Sequence, residues 1–532
     1  MHVLICDPIS PKGIALFRQR PEFTVTVLDK KLPEAELLAA VANVEAIVVR
    51  SETKITRKVI EAAPKLRVVG RAGVGVDNVD VEAATQRGVV VMNTPGGNTI
   101  TTAELSFFLL GALARKIPQA HGSMVAGKWD RKLFQGVELH GKTLGILGMG
   151  RIGSEVALRG KAFGMRVLAY DPFLTEARAR ALGVELVGEV DRVYREADFI
   201  TVHLPVTEQT RHLLNADAFA KMKPGVRLVN CARGEIIHEA DLAAALESGK
   251  IGGAALDVFA VEPLAADHPF RKLPNVILTP HLGASTEEAQ EKCGIEVAEV
   301  ITGYLLTGEV RNAVNLPYLD ARTYEQVKPY LVLGEKLGLL LGQLSPAQVD
   351  RIYITFGGNA RELPNTDPVT RAILRGFLDG GAVKDVNNVN VRSAAAALGL
   401  TVEEKKSEEP VTFNEWLHVQ VFQGATKVVS AGGTFFGSPN NPRIVRLFSQ
   451  PVEIVPAGVV LLLNNKDRPG IVGYLGTLLA QHQINIASMS LSREAAGGRA
   501  LTALNLDSVP PAALVAQLEA DPDLANVRIV KL

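Results

Sequence analysis

The sequence is poor in cysteine and in any surplus of charge, and each shortage narrows what the chain can be. Three cysteines, Cys6, Cys231 and Cys293, are scattered over 532 residues. They form no CxxC pair and no zinc-type spacing, which argues against a disulfide scaffold or a structural metal and for a reducing compartment. Lys+Arg and Asp+Glu both number 57. No overall field therefore draws nucleic acid or an anionic membrane, and any anion site has to be a local cluster. No unbroken run of about 18 apolar residues is present to span a bilayer. The opening Met1-His2-Val3-Leu4-Ile5-Cys6-Asp7-Pro8 lacks the basic start and long apolar core of a signal peptide, so a cytoplasmic protein is expected. What remains, 47% hydrophobic and 21% charged residues, is ordinary globular material, long enough for three or four cores.

Short buried runs alternate with helical stretches over the first half of the chain. Strands are predicted at 3–6, 46–49, 68–70 and 89–92, then a long apolar helix over 101–115. A second set of strands follows at 143–148, 166–170, 199–202, 226–230, 253–257 and 276–278. This alternation implies doubly wound parallel sheets. The helical segment after His281 is expected to rejoin the first domain, which makes the second an insertion. The predicted division is 1–97 with 284–317, then 98–283, then 318–455 and 458–532. In the third region 349–356 reads as a strand, 369–378 as a helix and 401–410 as a charged surface stretch. Gly432-Gly433-Thr434 and residues 437–442 read as turns between antiparallel strands. The last region reads βαββαβ, a ferredoxin-like unit.

The strongest local signal is Gly148-Met149-Gly150-Arg151-Ile152-Gly153, which follows a buried strand and opens a helix. Gly148 permits a tight turn, Gly150 lets the backbone approach a pyrophosphate, and Gly153 lets the helix lie close to the sheet. The next strand ends in Asp171, about 20 residues on, where a carboxylate can bind ribose hydroxyls and repel a 2′-phosphate, favouring NAD over NADP. The plainer alternative is that Asp171-Pro172 merely ends a strand.

Oxidising a 2-hydroxy acid requires a base for the hydroxyl proton, a partner that keeps that base charged, and a cation for the carboxylate. Arg233, Glu262 and His281 each follow a predicted strand of the nucleotide unit, at the edge where ligands bind. Arg233 would orient the carboxylate and polarise the carbonyl, His281 exchange the proton, and Glu262 hold the ring and favour its charged form. Taken singly, each is more often a solvated loop residue; their order after the nucleotide loop is what joins them.

Asn230-Cys231-Ala232-Arg233-Gly234, Leu256-Asp257-Val258-Phe259 with Glu262-Pro263, and Thr279-Pro280-His281-Leu282-Gly283 resemble signature segments of the D-isomer-specific 2-hydroxyacid dehydrogenases. The resemblance implies Arg233, Glu262 and His281 as catalytic residues. It also implies an inserted Rossmann domain, a dimerising core around 98–140, and NAD contacts from Arg151, Ile152, Thr207, Cys231, Ala232, Arg233, Asp257 and His281. Val49-Arg50-Ser51 and the Gly70–Asp80 run are similar to substrate segments of the phosphoglycerate dehydrogenase branch. They imply Arg50, Ser51, Arg71, Gly73 and Asn98 as substrate-binding residues, and Arg131 as one reaching a neighbouring subunit; Arg131 with Lys132 reads equally well as a solvated pair. Asn465-Lys466-Asp467-Arg468-Pro469-Gly470 with Asn485 resembles an ACT domain, which implies a serine effector at Asn465, Asp467 and Asn485, or a module that only joins subunits. Residues 318–455 resemble the intervening domain of the long-form enzymes. Lys427, Arg443 and Arg446 there could form an anion site, though a solvated surface is the simpler reading. Together these imply NAD-dependent oxidation of 3-phosphoglycerate by a homodimer or homotetramer without bound metal. The rivals are a glyoxylate or hydroxypyruvate reductase and a non-catalytic NAD-sensing scaffold.

Overall fold

The computed structural model describes residues 1–317, 321–383, 385–409 and 415–532. Tyr318, where the third region was expected to begin, and Pro410, the end of the charged stretch, lie outside the described residues. Among the described residues, four sheets organise the chain.

The first sheet is wholly parallel, with the order Thr24–Val27, His2–Ile5, Ala46–Val49, Val68–Arg71, Val90–Met92. Its central strands are buried on both faces, which is why they read as continuous apolar runs. Thr24–Val27 is the strand that sequence patterning misses, a half-exposed edge of alternating threonine and valine. Helix Glu287–Thr307 packs beneath this sheet with Val297 and Ile301 fully buried, and the following Val314 N–H donates to the Val91 carbonyl.

The second sheet is also parallel, in the order Val276–Leu278, Ile251–Leu256, Val226–Asn230, Phe199–Val202, Thr143–Leu147, Arg166–Tyr170, Glu185–Leu186. The chain leaves the Thr143–Leu147 strand in one direction and later returns to its other side. That reversal opens a crevice at the carboxyl ends of these strands. Helix Thr99–Arg115 packs on this unit, burying Phe107, Leu110 and Leu113 against Leu144, Val229 and Ala255.

In the third sheet Thr401–Lys406 pairs in parallel with Arg351–Gly358, and Glu415–Gln423, Thr426–Phe435, Pro442–Leu447 and Gln450–Ile454 continue it antiparallel. The charged stretch is exposed as expected and begins as a regular edge strand, whose Glu403, Glu404, Lys405 and Lys406 keep that edge from pairing further. One expectation needs correction here. Gly432-Gly433-Thr434 is not a turn; it lies inside Thr426–Phe435. A side chain at Gly432 would collide with the Trp416 ring and one at Gly433 with Leu333, so the glycines make room for packing within a strand. The expected turn at 437–442 does connect antiparallel strands.

The fourth sheet has the order Ile486–Arg493, Arg499–Leu506, Val459–Lys466, Leu524–Lys531, with helices Ile471–Gln481 and Ala512–Ala520 on one face. This is the ferredoxin-like arrangement. Among the described residues no helix is long and apolar enough to cross a membrane.

Gly432→Val should force the Trp416 ring from its place and destabilise the third sheet by about 1–3 kcal/mol, the usual cost of overpacking. A calorimetric scan showing no lowered transition would contradict this account of the paired glycines.

Candidate active site

The nucleotide loop follows from strand Thr143–Leu147. Gly148 has φ +96°, a conformation closed to most side chains. Helix Arg151–Ala162 starts after Gly150 without a side-chain cap, leaving its first N–H groups open. A Cβ at Gly150 would meet nothing within 4 Å, whereas one at Gly153 would strike the Gly148 carbonyl. The loop is thus open where a pyrophosphate approaches and closed where the helix packs. Asp171 accepts the Met149 N–H at 2.8 Å and the Phe173 N–H at 2.8 Å, one on each carboxylate oxygen, and each oxygen retains a lone pair for a ribose hydroxyl. Arg151 is exposed at the helix start, Ile152 packs on the core below, and Thr207 is exposed in a turn closed by its bonds with Thr210. The open amides and the placed carboxylate fit a dinucleotide.

His281 and Glu262 meet at the carboxyl ends of neighbouring strands. His281 Nδ1 lies 2.8 Å from Glu262 Oε2, and the two side chains are 42% and 36% exposed. A carboxylate can only accept, so Nδ1 carries the hydrogen and Nε2 is left for chemistry. Burial pushes the Glu262 carboxyl up. The hydrogen bond and charge of His281, the Phe259 N–H at 3.0 Å and the Arg233 charge outweigh that and hold it below the ordinary range. His281 itself sits at φ +57°, its N–H shared between the carbonyls of Asp257 and Thr279. The buried Asp257 carboxylate accepts from Thr279 Oγ1 at 2.6 Å, Leu282 N at 2.8 Å and Gly283 N at 2.9 Å.

Arg233 reaches from the second sheet toward the first. Its Nη1 donates to the Ala232 carbonyl at 2.6 Å, while Nε and Nη2 both contact Asp77 Oδ2 at 2.9 Å. Across the crevice, Val49 pairs with Arg71, so Arg50 and Arg71 project from adjacent strand ends. Burial, then the nearby Arg233 charge, lowers Arg71 to about 10, and its Nε is buried without a hydrogen-bond partner. Arg71 stays cationic at neutral pH all the same. A side chain at Gly73 would collide with the Arg71 guanidinium. The Asn98 amide oxygen, at the start of helix Thr99–Arg115, is likewise buried and unpartnered. Buried polar atoms without partners cost about 1–3 kcal/mol each, so the unpartnered Arg71 Nε beside the Arg233 and Arg50 charges marks a place where an anionic ligand can supply the missing bond. Ser51 is exposed at the same edge.

Several expected residues stand elsewhere. The Cys231 side chain points into the core, where burial pushes its thiol up to about 12, so only its backbone faces the crevice edge. Asp257 is 0% exposed and fully engaged by the His281 loop, which makes it the anchor of that loop and closes its side chain to a cofactor. Arg131 is exposed on the turn Arg131–Phe134, and among the described residues no hydrogen bond or ion pair links it to the basic cluster. Asn465 is 2% exposed and bonded inward to Thr502 Oγ1 at 2.7 Å, which closes it to an effector in this conformation. Asp467 holds Arg493 and the Gly497 N–H at one end of the fourth sheet, while Asn485 bonds Asp507 at the other. Sequence reasoning gave no role to Asp77, although an acid within a glycine-rich run beside Arg71 was its visible signal.

Comparisons with known proteins fit this geometry. Residues 107–283 match the family model described as D-isomer specific 2-hydroxyacid dehydrogenase, NAD binding domain. Residues 326–448 match the D-3-phosphoglycerate dehydrogenase intervening domain, and 459–523 the ACT domain. The chain is 43% identical over 532 residues to the D-3-phosphoglycerate dehydrogenase of Synechocystis sp., covering 100% of this chain and 94% of that one. It is 40% identical to the protein of the same name from Methanocaldococcus jannaschii, covering 100% of both. Among solved structures, a Thermus thermophilus protein is similar with TM-score 0.55 and 36% identity, over 59% of this chain and 100% of that one. A D-lactate dehydrogenase from Aquifex aeolicus, complexed with NAD and lactic acid, is similar with TM-score 0.52 and 27% identity, over the same 59% and 100%. The chain belongs to the D-3-phosphoglycerate dehydrogenases, a branch of the D-isomer specific 2-hydroxyacid dehydrogenase family.

Proposed function

We propose that the chain oxidises 3-phospho-D-glycerate to 3-phosphohydroxypyruvate with NAD, the first step of L-serine biosynthesis. The observation that carries this reading is the surplus of guanidinium groups. One cation, Arg233, suffices for the carboxylate of a 2-hydroxy acid, yet Arg50 and Arg71 stand at the same crevice with a buried donor unpartnered. That surplus suits a second anionic group, a phosphate, and a glyoxylate reductase would have no use for it.

In this reading NAD, when bound, supplies the hydride acceptor. Gly148, Gly150 and Gly153 with the helix N-terminus hold the pyrophosphate, and Asp171 binds the ribose. Arg233 grips the substrate carboxylate, and Arg50, Arg71, Ser51 and Asn98 bind the phosphate end. Nε2 of His281 takes the proton from the C2 hydroxyl, and the carboxylate of Glu262 balances the charge that the imidazole gains. We assign 1–97 with 284–317 to substrate binding, 98–283 to the dinucleotide, 318–455 to the intervening domain and 458–532 to the ACT domain, and place the protein in the cytoplasm. Ile117, Met124, Val125, Trp129 and Leu133 expose a run of apolar side chains, which supports a homo-oligomer built across this segment and a trans role for Arg131. The ACT resemblance supports a serine effector shared between two copies.

NADH formation from 3-phosphoglycerate but not from D-glycerate tests the assignment; turnover of D-glycerate at equal rates would favour a reductase, and NAD binding without turnover a scaffold. His281→Asn should lower kcat by about 10²–10⁴ with NADH affinity nearly unchanged. Asp171→Ala should weaken NAD binding and admit NADP, and an unaltered cofactor preference would remove the ribose role. Serine should inhibit the wild type and act far more weakly on Asn485→Ala; a flat titration of the wild type would remove the effector.

A further inference from the structure

Arg233 can serve a substrate only if its guanidinium is held at the correct angle, and the structure shows what holds it. A guanidinium has five N–H donors in one plane. The Ala232 carbonyl takes one from Nη1 at 2.6 Å, and Asp77 Oδ2 takes that of Nε at 2.9 Å and lies 2.9 Å from Nη2 in the same ion pair. The carboxylate thus holds the Nε–Nη2 edge and the carbonyl holds Nη1. The end-on pair of terminal nitrogens keeps hydrogens that a carboxylate can engage bidentately.

The two acceptors come from different units. Ala232 precedes Arg233 in the second sheet's unit, whereas Asp77 belongs to the loop after Val68–Arg71 of the first. A side chain at Gly75 would collide with Arg233 Nη2, so this loop is shaped to let the guanidinium lie against it. Among the described residues Asp77 is also the one carboxylate that forms an ion pair with a guanidinium of the cluster Arg50, Arg71 and Arg233. Its side chain is 69% exposed and carries no other hydrogen bond there, so fold stability gives little reason for it. Solvent weakens an exposed ion pair, but here the pair closes the crevice edge across which both units meet.

We propose that Asp77 is a positioning residue for Arg233: it clamps the side edge of the guanidinium from across the crevice, leaves the end-on pair for the substrate carboxylate, and thereby makes the grip depend on the two units being closed together. This rests on the reading of Arg233 as the carboxylate-binding group. Substrate specificity is then set partly by a residue that never touches substrate.

Asp77→Ala and Asp77→Asn in the full-length enzyme, with Arg233→Lys and the double variant Asp77→Ala/Arg233→Lys alongside, test the proposal. Asp77→Ala should raise KM for 3-phosphoglycerate about tenfold, the loss expected for charge-assisted bonds, with kcat changed less than about threefold and NADH Kd unchanged. Asp77→Asn, which keeps an oxygen acceptor, should recover most of the loss, and the double variant should be no worse than Arg233→Lys. An unchanged KM in Asp77→Ala while Arg233→Lys raises it would overturn the clamp alone. An unchanged KM in Arg233→Lys would overturn the carboxylate reading beneath it. A parallel loss of NADH affinity and thermal stability in Asp77→Ala, unrelieved in Asp77→Asn, would make the contact merely structural and also overturn the proposal.

Discussion

The His281 loop hangs on one buried carboxylate. Asp257 ends its strand with no exposure to solvent, and burial raises its carboxyl against the pull of its hydrogen bonds. Those bonds are the loop itself: the Thr279 hydroxyl and the Leu282 and Gly283 N–H groups converge on its oxygens, and the His281 N–H on its carbonyl. Three backbone N–H groups that would otherwise be stranded in a turn are satisfied at one residue. An unsatisfied buried donor costs about 1–3 kcal/mol, so the loop has little freedom to adopt another path. That path requires a left-handed backbone at His281, and the imidazole is thereby aimed at Glu262. Removing the anchor would disperse the pair before any substrate arrived.

The same logic of fixed direction organises the rest of the crevice. In parallel sheets every strand ends at one edge, so loops that follow the strands gather there whatever their distance in sequence. The edge of the second sheet collects the Gly148 loop, Asp171, Arg233, Glu262 and His281, and that of the first collects Arg50 and Arg71. Positive charge buried between two such edges is unfavourable until an anion fills it, and Arg71, lowered first by burial and then by the neighbouring Arg233 charge, stands where both costs are felt. A doubly anionic substrate relieves that repulsion, which a singly charged one does only in part.

Much of this was legible in the sequence because each signal was local. A glycine-rich loop after a buried strand, and Arg, Glu and His after successive strands, need no knowledge of packing to be placed at one edge. The failures share a different cause. Gly432-Gly433 looked like a turn because the partners that fill their space, Trp416 and Leu333, are distant in sequence. Cys231 and Asp257 lie within motif segments that face the crevice, yet alternation along the strand and the needs of a loop turn their side chains inward. Thr24–Val27 escaped because an exposed edge strand has too few apolar residues to declare itself. Asp77 stood in view within a glycine-rich run beside Arg71, but its role shows only through its ion pair with Arg233, which lies across the crevice.

The fourth sheet carries the same lesson to a larger scale. Strand Val459–Lys466 pairs antiparallel with Arg499–Leu506, so Lys466 lies beside Arg499 and Val459 beside Leu506. Asp467 therefore stands at one end of the sheet and Asn485, which precedes the Ile486–Leu506 pair, at the other. At about 3.3 Å per residue the separation is roughly 25 Å, well beyond the length of any free amino acid. No single copy can bring both to one small ligand. Effector binding that used both residues would therefore need a second copy.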